Sequence, residues 1–322
     1  MPSLGVLGTL VWDTIHGPDG GEPVEDWGGI AYSLAAWDAI ALPGWDLVPM
    51  VKVGADLRES ADRFLATVGG ISSLDHVLTV PEANNRVGLF YHDRSRRCER
   101  LTGGVPGWSP AELERAALSC DALYVNFISG WELDLESAEL LKRRFEGPAW
   151  CDVHSLILGV GDEGMRQPRP LDDRAAWIGA FDLVQVNEDE IGVLSRAVGS
   201  RDRMRDLLSE GPEAVFLTLG SAGAEWMTRP GTRWTEENGA AAGAVQVETI
   251  APPGSTDPTG CGDVWGISCF ASLLAGAGVP EAVRRANRLA AATAAWHGTA
   301  GLAERLKGIA REMGLEDVNE IA

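Results

Sequence analysis

This sequence of 322 residues lacks most features of a membrane, secreted or nucleic-acid-binding protein. No run of 18 apolar residues occurs, which excludes a membrane-spanning helix and so a membrane partner of that kind. The opening Met1-Pro2-Ser3-Leu4-Gly5-Val6 has no basic segment, so no secretory leader is expected. The five cysteines are odd in number and show no C-x-x-C spacing. That speaks against a disulfide framework or zinc site and for a reducing, cytoplasmic setting. Basic residues are scarce: 27 Lys and Arg stand against 47 Asp and Glu, a net charge of −20. Nucleic acid and anionic membrane surfaces are therefore poor partners. No G-x-x-x-x-G-K followed by Ser or Thr is found, which excludes a P-loop. Repeats, low-complexity linkers and composition breaks are missing too, and a single domain over 1–322 is expected.

What is present is the patterning of a globular α/β chain, 45% hydrophobic and 23% charged. From Pro110 onward helical and extended patterns alternate: helix 110–119, strand 122–128, helix 135–145, strand 149–153, then strands 181–186 and 214–219. Such alternation predicts right-handed βαβ units and a mostly parallel sheet. Upstream, 4–11 and 46–53 read as buried strands, 58–68 as a helix, and 87–91 with 100–101 as the arms of a hairpin. Gly159 to Gly164 fits G-x-G-x-x-G, but Pro168 and Pro170 follow too soon for the helix that motif requires, so this segment reads as a loop. The 12 tryptophans are scattered and read as core rather than as a stacking platform.

The densest signal is Asp257-Pro258-Thr259-Gly260-Cys261-Gly262-Asp263. Asp257 and Pro258 start a turn, and the glycines allow positive φ and close approach of a ligand to the backbone. Val264, Ile267, Phe270, Leu273 and Leu274 then follow a helical period, so Asp263 falls in the first turn of a helix. Free N–H groups and the helix dipole at such an entry suit a phosphate, and a carboxylate beside them is placed to take a hydroxyl proton. An ordinary acidic first turn would look the same. The second signal is Val184-Gln185-Val186-Asn187-Glu188-Asp189-Glu190. An amide and a carboxylate one turn apart at a strand–helix junction suit Mg²⁺, yet they are equally good helix caps. Asp13, expected at a strand end, reads as a ligand-binding carboxylate or a turn residue. Arg86, Arg94, Arg96, Arg97 and Arg100 cluster on the hairpin of an acidic chain. They read as solvated turn charge or, Arg86 above all, as the grip on an anionic substrate.

Taken together these segments resemble, in order, the motifs of the PfkB (ribokinase-like) carbohydrate kinases. Residues 257–263 are similar to the family signature D-T/P-T-G-A-G-D, with Cys261 where Ala is usual. Gly28-Gly29 before a helix, Val53-Gly54-x-Asp56, Asn187-x-x-Glu190 and Thr218-Leu219-Gly220-x-x-Gly223 match further motifs. The resemblance implies a three-layer α/β/α sandwich with a mostly parallel central sheet and a small β lid, here from 14–27 and 84–102. It implies phosphoryl transfer from ATP with Mg²⁺ to a hydroxyl of a small polyhydroxylated acceptor. In these terms Asp263 is the general base, and Gly260, Cys261 and Gly262 form the anion hole. Glu190 and Asn187 organise Mg²⁺ and phosphate. Thr218, Gly220, Gly223 and Asn287 lie along the nucleotide. Asp13, Gly28 and Gly29 hold the acceptor. Many members use K⁺ near the nucleotide loop, where Asp257 would be nearest. Some dimerise through the lid, which these residues leave open.

The departures bear on substrate. Ser33 stands where the family places an Asn that binds polyols, and a hydroxyl lacks its bidentate reach. Sugars, sugar phosphates, nucleosides and inositols all remain as acceptors, with the Arg-rich hairpin leaning toward an anionic one. A catalytically weak member acting as a ligand-binding or regulatory protein is the alternative.

Overall fold

The computed structural model describes residues 1–17, 20–91, 97–235, 241–247 and 257–313. In chain order the strands are β1 (Ser3–Leu7), β2 (Leu10–His16), β3 (Val24–Gly29), β4 (Asp46–Gly54), β5 (Val77–Val80), β6 (Arg86–Tyr91), β7 (Arg97–Thr102), β8 (Ala122–Asn126), β9 (Ala149–Asp152), β10 (Leu158–Val160), β11 (Arg166–Pro168), β12 (Leu183–Asn187), β13 (Ala214–Thr218), β14 (Ala224–Thr228) and β15 (Ala242–Val245). The α-helices are α1 (Ile30–Ile40), α2 (Arg58–Leu65), α3 (Pro110–Ala117), α4 (Leu135–Arg144), α5 (Arg174–Gly179), α6 (Glu188–Leu194), α7 (Ser200–Leu208), α8 (Cys261–Leu274), α9 (Val279–Thr293) and α10 (Leu302–Glu312).

Nine strands form one sheet in the order β15-β14-β13-β12-β9-β8-β1-β4-β5. Neighbours from β13 to β5 run parallel, while β14 and β15 add an antiparallel edge. Alternation along the strands sends side chains to opposite faces. Tyr124, Leu183 and Phe216 pack with α1, α8, α9 and α10. Leu123, Val125, Val184 and Val186 pack with α3, α4, α6 and α7. The expected three-layer α/β/α sandwich follows directly. Helix α8 lies deep in the first layer, and all its residues from Val264 to Leu273 are buried.

Local chemistry sets the helix starts. Ser109 and Glu112 close a capping box ahead of α3, with Pro110 at its first position. Glu112 also takes the ammonium of the buried Lys52 at 3.0 Å. Burial lifts the Glu112 carboxyl, but hydrogen bonds from Ser109 and Lys52 outweigh it and hold it at about 2. A depressed carboxylate stabilises the fold above its unfolded value and loses that contribution as pH falls through its folded one. Glu112→Gln is therefore expected to lower Tm at pH 7, with the gap to the parent protein closing as pH falls from about 4.5 toward 2. Thermal melts across that range test it; a pH-independent gap would contradict it.

A second, four-stranded sheet has the order β3-β2-β6-β7. The segments 14–27 and 84–102 expected for a lid supply most of it; residues 18–19 and 92–96, with Arg94 and Arg96 of the basic hairpin, lie outside the described residues. Residues 4–11 do not form the single strand their apolar run suggests. The chain leaves the main sheet at Gly8-Thr9, where a Cβ on Gly8 would stand 2.7 Å from Ile30 Cδ1. The Thr9 carbonyl accepts the Ile30 amide, and its hydroxyl donates to buried Glu132 at 2.7 Å. Asp13 consequently sits within β2 of the second sheet and not at the end of a main-sheet strand. The segment 159–164, read as a loop, is the tip of the β10–β11 hairpin. A hairpin suits it because Pro168 falls at a strand end, where no ladder N–H is required. An isolated bridge between Met165 and Arg100 ties this hairpin to the second sheet.

Candidate active site

Parallel α/β sheets place ligand groups at the carboxyl ends of their strands. Here Asn126 ends β8, Asp152 ends β9, Asn187 ends β12 and Thr218 ends β13. Register sets Asn126, Asp152 and Gln185 in one row across three neighbouring strands. Over these ends lies the inner face of the second sheet. Its side chains Val11 and Asp13 of β2, Val87 and Leu89 of β6 and Glu99 of β7 close a cavity of about 180 Å³. The remaining wall is the turn before α8, with Gly260, Gly262 and Asp263. This volume is below the roughly 300–1,000 Å³ usual for drug-sized ligands, so the space suits a small molecule.

Gly260 caps α8 with φ 77°, and a Cβ there would lie 2.2 Å from the Tyr32 ring. Glycine is required on both counts. The Cys261 amide donates to Pro258 O at 3.2 Å. Among the described residues the Gly260 and Gly262 amides meet no protein acceptor, so two amides rather than three are left for an anion. Cys261 does not line the cavity; its thiol lies 3.4 Å from Ala290 O. Asp263 Oδ1 accepts Asn126 Nδ2 at 2.6 Å. Gln185 Nε2 holds Gly262 O at 3.0 Å, and Ser33 Oγ donates to Asp263 O at 3.3 Å. Asn126 Oδ1 and Gln185 Oε1 are buried without a partner among the described residues. Ser33, expected against the acceptor, is fully buried and braces the first turn of α8 instead.

Asn187 and Glu190 both line the cavity, and they also form a complete capping box. Asn187 Oδ1 accepts the Asp189 and Glu190 amides, while Glu190 accepts Asn187 N at 2.8 Å and Nδ2 at 2.5 Å. Burial and then the Glu190 charge push the Asp152 carboxyl well above the usual range. Burial pulls the His154 imidazole down, but Glu190, 3.6 Å away, outweighs it and lifts it to about 9. His154 is held at φ 25°, an unusual value for a non-glycine residue. Burial, reinforced by Asp13, Asp257 and Asp263, keeps the Tyr32 phenol neutral by driving it far up.

Asp13 is buried at the centre of the lid face, and Gly28 makes room for it: a Cβ on Gly28 would fall 1.8 Å from Asp13 Oδ2. Gly29, at φ 58°, lines the cavity beside it. Arg86 is on the opposite face of β6 from Val87 and pairs with Asp56 Oδ2 at 2.7 Å, outside the cavity. Alternation along the strand is the reason. Asp257 already holds Thr259 N and the Tyr91 hydroxyl on Oδ1 and His297 Nδ1 on Oδ2, so protein donors engage the atoms expected near a potassium ion. Thr218 lines the cavity. Gly220 and Gly223, at φ 54° and 101°, shape the tight β13–β14 turn and are not among the cavity's lining residues. Asn287 is buried, accepting Trp265 Nε1 at 2.8 Å and donating to Val245 O at 3.0 Å, a tie between elements rather than an open contact.

Asn126, Gln185, His154, Tyr32 and Glu99 line or support this site without having been singled out from sequence. A polar residue closing an apolar strand, as in Ala122-Leu123-Tyr124-Val125-Asn126, is the one local signal that marks any of them.

Residues 159–305 match the pfkB family carbohydrate kinase profile. Over that stretch the chain is similar to the PfkB carbohydrate kinases, which supports a kinase phosphotransferase. No curated protein sequence matches the chain significantly. Solved structures share the fold. A pyrophosphate-dependent myo-inositol-1 kinase altered to a myo-inositol-3 kinase is 16% identical, with coverage of 95% of this chain and 99% of that one and a TM-score of 0.72. A Burkholderia thailandensis nucleoside kinase in complex with inosine is 18% identical, at 96% and 98% coverage and TM-score 0.68. A putative ribokinase II from E. coli in complex with ATP and Mg²⁺ is 17% identical, at 97% and 100% coverage and TM-score 0.69.

Proposed function

We propose that this chain transfers the terminal phosphoryl of ATP to a hydroxyl of a small, uncharged polyol, a sugar or cyclitol. The observation that carries the reading is the turn before α8. Two amides that meet no acceptor among the described residues, at Gly260 and Gly262, belong to the wall of the same cavity as the Asp263 carboxylate. Amides held there favour the charge of a transferring phosphoryl, and Asp263 takes the proton of the attacking hydroxyl. Asn126 orients that carboxylate, and Asp13 and Glu99 of the lid accept acceptor hydroxyls.

Five carboxylates line the cavity, Asp13, Glu99, Asp152, Glu190 and Asp263, with His154 as the single basic side chain among the lining residues. That balance disfavours the anionic acceptor suggested by Arg86, and the volume disfavours a nucleoside. The same carboxylates fit a divalent cation carried by the donor. Glu190 is tied up in its cap, and no cluster of three or more ligating side chains exists among the described residues. Glu190 and Asp152 therefore suit Mg²⁺ held through its waters, the usual habit of that ion on phosphate sites. When bound it would neutralise phosphate charge. The ATP and Mg²⁺ bound to the E. coli relative support this donor.

The test is acceptor-dependent ADP release across sugars, sugar phosphates, cyclitols and nucleosides, with and without EDTA. Pyrophosphate should be run as a parallel donor, since Asn287 is engaged inside the fold. Turnover with a neutral polyol, abolished by EDTA, is expected. No acceptor-dependent release with either donor would overturn the reading.

A further inference from the structure

The end of β6 carries a group that none of the roles above uses. Val87, Leu89 and Tyr91 share the inner face of the lid by alternation. The first two line the cavity. Tyr91 reaches the turn before α8, where its hydroxyl lies 3.1 Å from Asp257 Oδ1 and 2.7 Å from Thr259 Oγ1. The phenol proton goes to the carboxylate, the better acceptor, and its oxygen then takes the Thr259 proton. Asp257 is buried and also accepts the Thr259 amide at 2.9 Å, while His297, beyond α9, meets its other oxygen at 3.1 Å. Burial raises the Asp257 carboxyl, but these donors outweigh it and hold it ionised. One buried carboxylate thus joins a lid strand, the segment after α9 and the turn that presents the Gly260 and Gly262 amides.

We propose that Tyr91 is a positioning residue that locks the phosphoryl-binding turn to the closed lid. The turn takes its working shape only when β6 is seated over the acceptor. The catalytic consequence rests on the kinase reading above; the mechanical coupling does not. Acceptor and phosphoryl cradle are brought together in one step, so the donor meets an ordered anion hole chiefly when a hydroxyl is in place to receive its phosphoryl.

The experiment compares Tyr91→Phe with the parent enzyme and uses Thr259→Val to break the contact from the other side. Amide hydrogen exchange over 257–264 is read first, without substrate. Exchange in that stretch is expected to quicken by ~10-fold in both variants, with the central sheet unchanged, as for a local opening made easier. Unchanged exchange in either variant overturns the lock, whatever the kinetics. With the best acceptor, Tyr91→Phe should lower kcat by ~10-fold or more, the effect of losing a hydrogen bond to a charged group, with acceptor KM within about two-fold. A change confined to KM, or none, overturns the positioning role. An inactive parent enzyme would sink the kinase reading, while the exchange measurement would still decide the coupling.

Discussion

Asp263→Asn is expected to lower kcat by ~10²–10⁴ with little change in Tm, the penalty for removing a general base. The argument is geometric before it is electrostatic. Asp263 is in the first turn of α8, one residue past the open Gly262 amide, and it faces the cavity. Asn126 Nδ2 donates to Oδ1 at 2.6 Å, which holds the carboxylate in place at the cavity wall. An asparagine keeps the shape and accepts the same hydrogen bond through its carbonyl oxygen. It takes no proton from a hydroxyl. Donor KM should therefore hold while kcat collapses, the pattern of an interaction made in the transition state alone. Steady-state kinetics with a parallel melt decide it. Parent-like turnover in a folded Asn variant would remove Asp263 from the chemistry.

Gly260→Ala is expected to be nearly as damaging, by a different route. Its φ of 77° disfavours any side chain, and the added Cβ would lie 2.2–2.4 Å from three atoms of the Tyr32 ring. Tyr32 is buried under α8 and has little freedom to retreat. The turn must shift, taking the Gly260 and Gly262 amides with it. Loss of one oxyanion-type donor lowers kcat by ~10²–10³, and a loss of that size is expected here. A stability cost of ~1–3 kcal/mol should accompany it from the strained backbone. Gly44→Ala is the control: its φ of 72° is similar, but no atom lies within 4 Å of the added carbon. Similar kcat values for the two variants would show that packing against Tyr32 does not hold the cradle.

The two departures from the family signature read differently once folded. Cys261 points its thiol toward Ala290 O and away from the cavity. Ser33 supports the backbone of Asp263. Neither removes a group that the proposed reaction requires.

Asn187 and Glu190 show why local sequence stops short of a function. Cap and metal site call for the same amide and carboxylate at the same spacing, and the structure shows the cap complete while both residues also face the cavity. Arg86 pairs with Asp56 outside the cavity because a one-residue step along β6 turns a side chain from the cavity to the outer face. Tyr91, on the correct face, attracts no notice in sequence because its partners are 166 and 168 residues away.

The sequence alone determined the mostly parallel sheet and the helix entry at Gly260 to Asp263, because hydrophobic period, glycine placement and capping act within a few residues of each other; the layering was what the family resemblance implied. Tertiary structure alone decided that the chain breaks at Gly8-Thr9, that Asp13 and Glu99 meet Asp263 across one small acidic cavity, and that Tyr91 reaches Asp257. Those facts depend on strand order, register and the seating of one sheet over another, and such long-range pairings leave no periodic trace in the residues they join.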